Sequence, residues 1–182
     1  MSRRPVIPQR TPIFLGGEGA SEAGYGALIA KLARERGLHV HLDIHSLQPG
    51  AGDPHALVEK ALKLIRQRER VRSAYKIKAI FLDVGSARKN VEATALAREN
   101  GIDYLIWQEP DHEALLLRHM DNCQQRRPPA GESMRALLRE WPDYRKAMSA
   151  QELGTKITQA HIQLACGVEE SLAAFLRRVG LV

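Results

Sequence analysis

Cysteine is scarce here: the chain of 182 residues holds two, Cys123 and Cys166. They stand far apart and form no metal-type pair, so a thiolate zinc site is excluded. They read as reduced thiols in a cytoplasmic protein. Long apolar runs are also absent, and no stretch reads as a membrane span. The opening MSRRPVIPQR carries arginines, but no apolar h-region follows, which excludes a secretory leader and leaves a short basic arm. There is no internal repeat and no low-complexity tract. A GxGxxG fingerprint is missing where a dinucleotide-binding protein needs it, and a carboxylate at that turn repels a pyrophosphate. A nucleotide-binding Rossmann-like protein is therefore disfavoured.

What remains is an ordinary globular composition, 44% hydrophobic and 26% charged, with a net charge of +6 and a pI near 9.6. The length is enough for a real core. The basic balance suits an anionic partner such as nucleic acid.

The stretch Pro12–Glu22, PIFLGGEGASE, organises the chain. Ile13, Phe14 and Leu15 are strand formers; glycines follow, and after Ser21, a candidate cap, a helical pattern runs from Glu22 to Arg36, closed by Gly37. A strand running through glycines into a helix opens a βα unit, and ligands of parallel sheets bind at that carboxyl edge. Residues 39–47, HVHLDIHSL, alternate strictly as a strand. Val40, Leu42 and Ile44 make one face, and His39, His41, Asp43 and His45 the other. Same-face residues on one strand sit about 7 Å apart, too far for neighbours to share a tetrahedral zinc easily. The row reads as the polar face of an outer strand, open to water. Gln48–Gly52 is a turn, and Asp53 with Pro54 starts a helix running to about Arg72, whose tail RQRERVR reads as a solvated face.

Lys78–Gly85, KAIFLDVG, is a continuous apolar run ending on Asp83, as in a central parallel strand. A helix follows from Arg88 to Asn100, then the strand Asp103–Gln108, which runs into Glu109. A helix from Asp111 to about Met120 holds Glu113 on its first turn. The alternation β-α-β-α-β-α-β-α predicts an α/β fold, a Rossmann-like parallel sheet flanked by helices. Residues 122–131 read as a linker with Arg126 and Arg127. Helices are expected over Ser133–Glu140, over WPDYRKAM, from about Ala150 to His161, and on to Arg178. The division is thus an α/β domain over 1–121 with a helical C-terminal part over 122–182. Trp141 and Tyr144 read as packing anchors; Tyr144, Arg145 and Lys146 could equally contact phosphate.

In such a sheet Glu18, Asp83 and Glu109 share the carboxyl edge. Two or three carboxylate oxygens, completed by water and substrate phosphates, suit Mg²⁺ or Mn²⁺. The competing reading is that acids end strands merely as helix caps, which fits Asp111 well.

Five segments in register resemble the RloB-like family, a Toprim-related group. EGASEAGY (Glu18–Tyr25) resembles its EGxTExxY start. GAGDPHALVEKA (Gly50–Ala61) is similar to the segment after its second strand, and FLDVGSARKN to its acidic third-strand motif. EPDHEALLLRHM (Glu109–Met120) is similar to NPxFExWLLxHF, and WPDYRKA to the late YxK segment. The resemblance spans nearly the whole chain. It implies a Toprim-type fold and a magnesium-dependent nuclease site in a bacterial anti-phage defence protein, working with an ATPase of the AAA or ABC-like kind on tRNA, other RNA or DNA. Carried over, Glu18 is the Toprim glutamate, Glu22 the second acid, Asp83 the first aspartate of a DxD pair, Glu113 the acid of the FExW block, and His119 its histidine. Arg88, Lys89, Arg126, Arg127 and Lys146 are candidates to hold nucleic acid, and a homodimer is compatible. Gly85 replaces the second DxD aspartate, and His112, Ala114 and Leu115 stand in the altered FExW block. Either Glu113, Glu109 or Asp111 substitutes, or the chain is a degenerate, non-catalytic adaptor on its ATPase.

Overall fold

The computed structural model describes residues 9–48 and 52–182. The basic arm lies almost wholly outside them, as do residues 49–51 of the turn before Asp53. Strands and helices alternate as β1 (Thr11–Gly17), α1 (Ala20–Glu35), β2 (Val40–Ser46), α2 (Pro54–Glu69), β3 (Ile77–Asp83), α3 (Ala87–Glu99), β4 (Tyr104–Gln108) and α4 (His112–Leu117). Four more helices follow: α5 (Ser133–Glu140), α6 (Ala150–Leu153), α7 (Gln159–Cys166) and α8 (Glu170–Val179). All pairings are parallel, in the order β2-β1-β3-β4. The chain is an α/β fold, a parallel sheet flanked by helices, with a helical C-terminal part. No helix among the described residues is long and apolar enough to cross a membrane.

Side chains alternate across each strand, so the sheet carries two cores. Ile13 and Leu15 of β1 and Ile77, Ala79 and Phe81 of β3 pack against Tyr25, Leu28 and Ile29 of α1, Leu115 of α4, and the C-terminal residues Leu137, Ile162 and Phe175. Phe14, Ile80 and Leu82 point the other way, to Leu57, Val58, Ala61 and Ile65 of α2 and Ala93 and Ala97 of α3. Trp141 and Tyr144 are buried anchors, as read.

Asp53 caps α2 as expected, its Oδ1 accepting from the N–H of His55 (3.0 Å) and Ala56 (3.4 Å). Several expectations are corrected. Ser21 is not the cap of α1: Gly19 holds that position, and Glu22 Oε2 accepts the Gly19 N–H at 3.0 Å. WPDYRKAM is not helical but two turns in irregular chain, the helix being broken after Trp141 by Pro142. The expected helix from Ala150 to His161 is two short ones, α6 and α7, parted at Gly154 and Thr158. The polar face of β2, though on an edge strand, is partly covered. His45 stacks on Phe14 with ring centroids 5.2 Å apart, and Asp43 is bonded by Arg72, the last residue of the RQRERVR tail, and by Tyr75 beyond it. That tail is therefore not wholly a solvated face.

The C-terminal part is tied to the sheet through Arg118, whose side chain is 0% exposed. It pairs with Glu169 just before α8, and its Nη2 donates to Glu109 O at 2.8 Å. Removing one partner of a buried ion pair leaves the other charge uncompensated. Arg118→Leu should cost about 3 kcal/mol in urea unfolding, and adding Glu169→Leu should restore most of it. Equal stability of Arg118→Leu and the parent would refute this role.

Candidate functional site

Strand parity decides which acids meet. Asp83 continues the series Ile77, Ala79, Phe81 and so faces the layer of α1 and α4. Glu22 lies on the first turn of α1, pressed against the end of β1. A Cβ on Gly17 would stand 2.4 Å from Glu22 Cβ, so only glycine allows this approach. Glu113 lies on the first turn of α4, started by Asp111, whose Oδ1 accepts the Ala114 N–H at 3.0 Å. Glu18 sits at the tip between β1 and α1, its Oε1 accepting the Gly52 N–H at 2.9 Å. Glu18, Glu22, Asp83 and Glu113 line one cleft of about 340 Å³ with Gln48, His112 and Lys146.

The chain after α5 closes the cleft. A Cβ on Gly24 would be 2.1 Å from Met148 O, so that segment lies directly on α1. Ala147 N–H donates to Ser21 Oγ at 3.1 Å. This brings Lys146 Nζ to 3.5 Å from Glu113 Oε1, and the Tyr144 hydroxyl donates to the same oxygen at 3.4 Å. Behind the cleft, Tyr25 OH donates to His119 Nε2 (2.8 Å), and His119 Nδ1 donates to Leu115 O (2.9 Å). Burial pushes His119 down to about 4, so its ring stays neutral and accepts from Tyr25. His119 is thus a clamp between α1 and the end of α4, the two elements that carry Glu22 and Glu113.

Electrostatics mark the cleft as strained by like charge. Burial, and then the charges of Glu22, Glu18, Asp111 and Glu113, push the Asp83 carboxyl up to about 8. Asp83 Oδ1 is buried with no hydrogen-bond partner among the described residues. His112 is buried beside it, and desolvation lowers its pKa. The Gln108 side-chain amide nitrogen lies 2.6 Å from His112 Nδ1.

Other expected site residues are placed elsewhere. Glu109 is one residue out of phase: Tyr104 and Ile106 face the α1 layer, whereas Glu109 follows Leu105 and Trp107 and lines a different depression with Trp107, Val84 and Glu169. It is not in the acid cleft. Gly85 is not there either. A Cβ on it would meet Pro54 at 3.2 Å, and its N–H donates to Asn90 Oδ1 at 3.0 Å. Arg88 is exposed and paired with Glu92 at 2.7 Å, and Lys89 with Asp53 at 2.7 Å. Arg126 pairs with Glu140, and Arg127 donates to Gln124 O at 2.8 Å. Of the five candidate nucleic-acid contacts, Lys146 alone lines the cleft. Sequence reasoning missed Gln108 and His112 as site residues. Gln108 continues the inward phase of Ile106, a signal readable from alternation, whereas the aim of His112 depends on how α4 meets the sheet.

Among the described residues no three His, Cys, Asp or Glu side chains form a ready-made metal cage. The acids ring a cleft rather than closing on a point. That donor set, all oxygen and with Asp83 Oδ1 unpartnered, fits a hydrated hard cation that keeps several waters, as Mg²⁺ does, better than a dehydrated one.

Burial and like charge make Asp83 a source of pH-dependent stability. The folded carboxyl holds its proton to about 8, while the unfolded one releases it near 3.8. Between these values the folded state binds more protons, so stability falls as pH rises across that window. With chelator present, Asp83→Asn should raise the thermal midpoint by about 10 °C or more at about pH 9 and by only a few degrees at about pH 5. An equal effect at both pH values would refute the shift. Comparison of the chain with protein-family models, with curated proteins and with solved structures finds no match.

Proposed function

We propose that this chain is an RloB-like, Toprim-related phosphodiesterase that uses Mg²⁺ or Mn²⁺ to cut RNA or DNA in bacterial anti-phage defence, under control of a partner ATPase. The observation that carries the catalytic part is the convergence of Glu18, Glu22, Asp83 and Glu113 on one cleft at the carboxyl edge of a parallel sheet. Such a cleft repels a phosphodiester unless a cation offsets its charge. Glu18 and Asp83 are the residues to hold that cation, with Glu22 or Glu113 completing the set. When bound, a divalent cation supplies Lewis acidity and neutralises charge developing on the phosphoryl group. Lys146 offers a positive charge at the rim beside Glu113. The tRNA, other RNA or DNA substrate, the AAA or ABC-like ATPase and the defence role rest on the motif resemblance.

A second reading, a degenerate and non-catalytic adaptor of the ATPase, is favoured by one observation. Position 85, where the family has a second DxD aspartate, is a glycine packed by Pro54 and Asn90.

Purified protein, with and without its ATPase, should cleave total tRNA, single-stranded RNA or plasmid DNA when Mg²⁺ or Mn²⁺ is added. Glu18→Ala and Asp83→Ala should each lower the rate by about a hundredfold or more. Lys146→Ala should weaken nucleic-acid binding, and Arg126→Ala should not. Undiminished cleavage by Glu18→Ala would refute the assignment. No metal-dependent cleavage, together with a stoichiometric ATPase complex, would establish the adaptor instead.

A further inference from the structure

We propose that His112 Nε2–H is a hydrogen-bond donor to a phosphoryl oxygen of the substrate, which makes the phosphodiester group itself the thing this cleft recognises. The inference rests on the phosphodiesterase reading above and adds a residue that the motif resemblance does not supply.

His112 is 3% exposed and lines the acid cleft. Its Nδ1 faces the Gln108 side-chain amide nitrogen at 2.6 Å. An amide N–H only donates, so Nδ1 accepts and the neutral ring carries its proton on Nε2. Gln108 is itself 1% exposed, so this amide–imidazole contact is shielded from water. Nε2 is buried with no hydrogen-bond partner among the described residues. That vacancy is informative because Glu22, Asp83 and Glu113 line the same cleft and none of them takes the proton. Buried donors are nearly always satisfied, so an unmatched one beside a cavity points to a ligand acceptor.

The acceptor's chemistry follows from the surroundings. Nε2 with its proton has no lone pair to give a cation, so His112 is not a further metal ligand. The donor calls for an oxygen, and the flanking carboxylates call for a cation. A phosphodiester meets both demands, presenting non-bridging oxygens to the imidazole N–H while its charge is offset at the carboxylates. A single trapped water would satisfy Nε2 equally well, and the phosphate arm below separates the two.

The test is isothermal titration of the full chain with Mn²⁺, and with inorganic phosphate in the presence and absence of Mn²⁺. His112→Phe keeps an aromatic ring in the buried site and removes the donor; His112→Gln puts an amide N–H near the Nε2 position. The expected result is Mn²⁺ affinity unchanged in both variants, phosphate affinity lowered about tenfold or more in His112→Phe, and most of it regained in His112→Gln. Phosphate binding in His112→Phe equal to that of the parent, with Mn²⁺ binding intact, would overturn this inference and leave the metal site standing. Phosphate bound without Mn²⁺, and lost in His112→Phe, would keep His112 and overturn the metal. A parent chain that binds neither probe would overturn both.

Discussion

Four carboxyl groups facing one cleft repel each other, and much of the surrounding structure serves to hold them there. Asp83, buried and facing this repulsion, keeps its proton to about 8. Glu18 and Glu22 answer it by accepting backbone N–H groups, from Gly52 and Gly19. Glu113 has the nearby Lys146 and the Tyr144 hydroxyl. Each carboxylate is stabilised locally, yet Asp83 Oδ1 remains unpartnered, so the cluster is relieved rather than neutralised.

Holding such a cluster requires stiff supports. Gly17 lets the start of α1 touch the end of β1, and Gly24 lets the turn before α6 lie on α1. The Tyr25–His119 hydrogen bond locks α1 to the end of α4 in the apolar core, where a neutral imidazole is the stable form. The C-terminal helices belong to that same core, so the part of the chain that carries Lys146 is built into the scaffold of the site.

Much of this was legible in the alternation of apolar runs and helical stripes. The parallel sheet follows from four βα units and Glu18 and Asp83 from the strand ends, while Glu22 and Glu113 enter as site acids through the motif resemblance. Glu109 follows from the strand end but not from the strand's phase: Ile106 and Gln108 turn inward, so the next residue, Glu109, falls on the other face. Residues 141–148 read as helix, but Pro142 and packing against α1, through Gly24 and Ser21, outweigh that propensity. His112 was seen only as a change in a motif.

What the sequence by itself determined is the order of the elements and the residue types at the carboxyl edge, because hydrophobic period and capping are local properties. Tertiary structure alone decided which acids share a cleft, that Gly85 turns away toward Pro54, and that His112 Nε2 is left without a partner. These depend on which face of a strand or helix meets which neighbour. That choice is made by the packing of two separate cores, and no local stretch of sequence contains both sides of it.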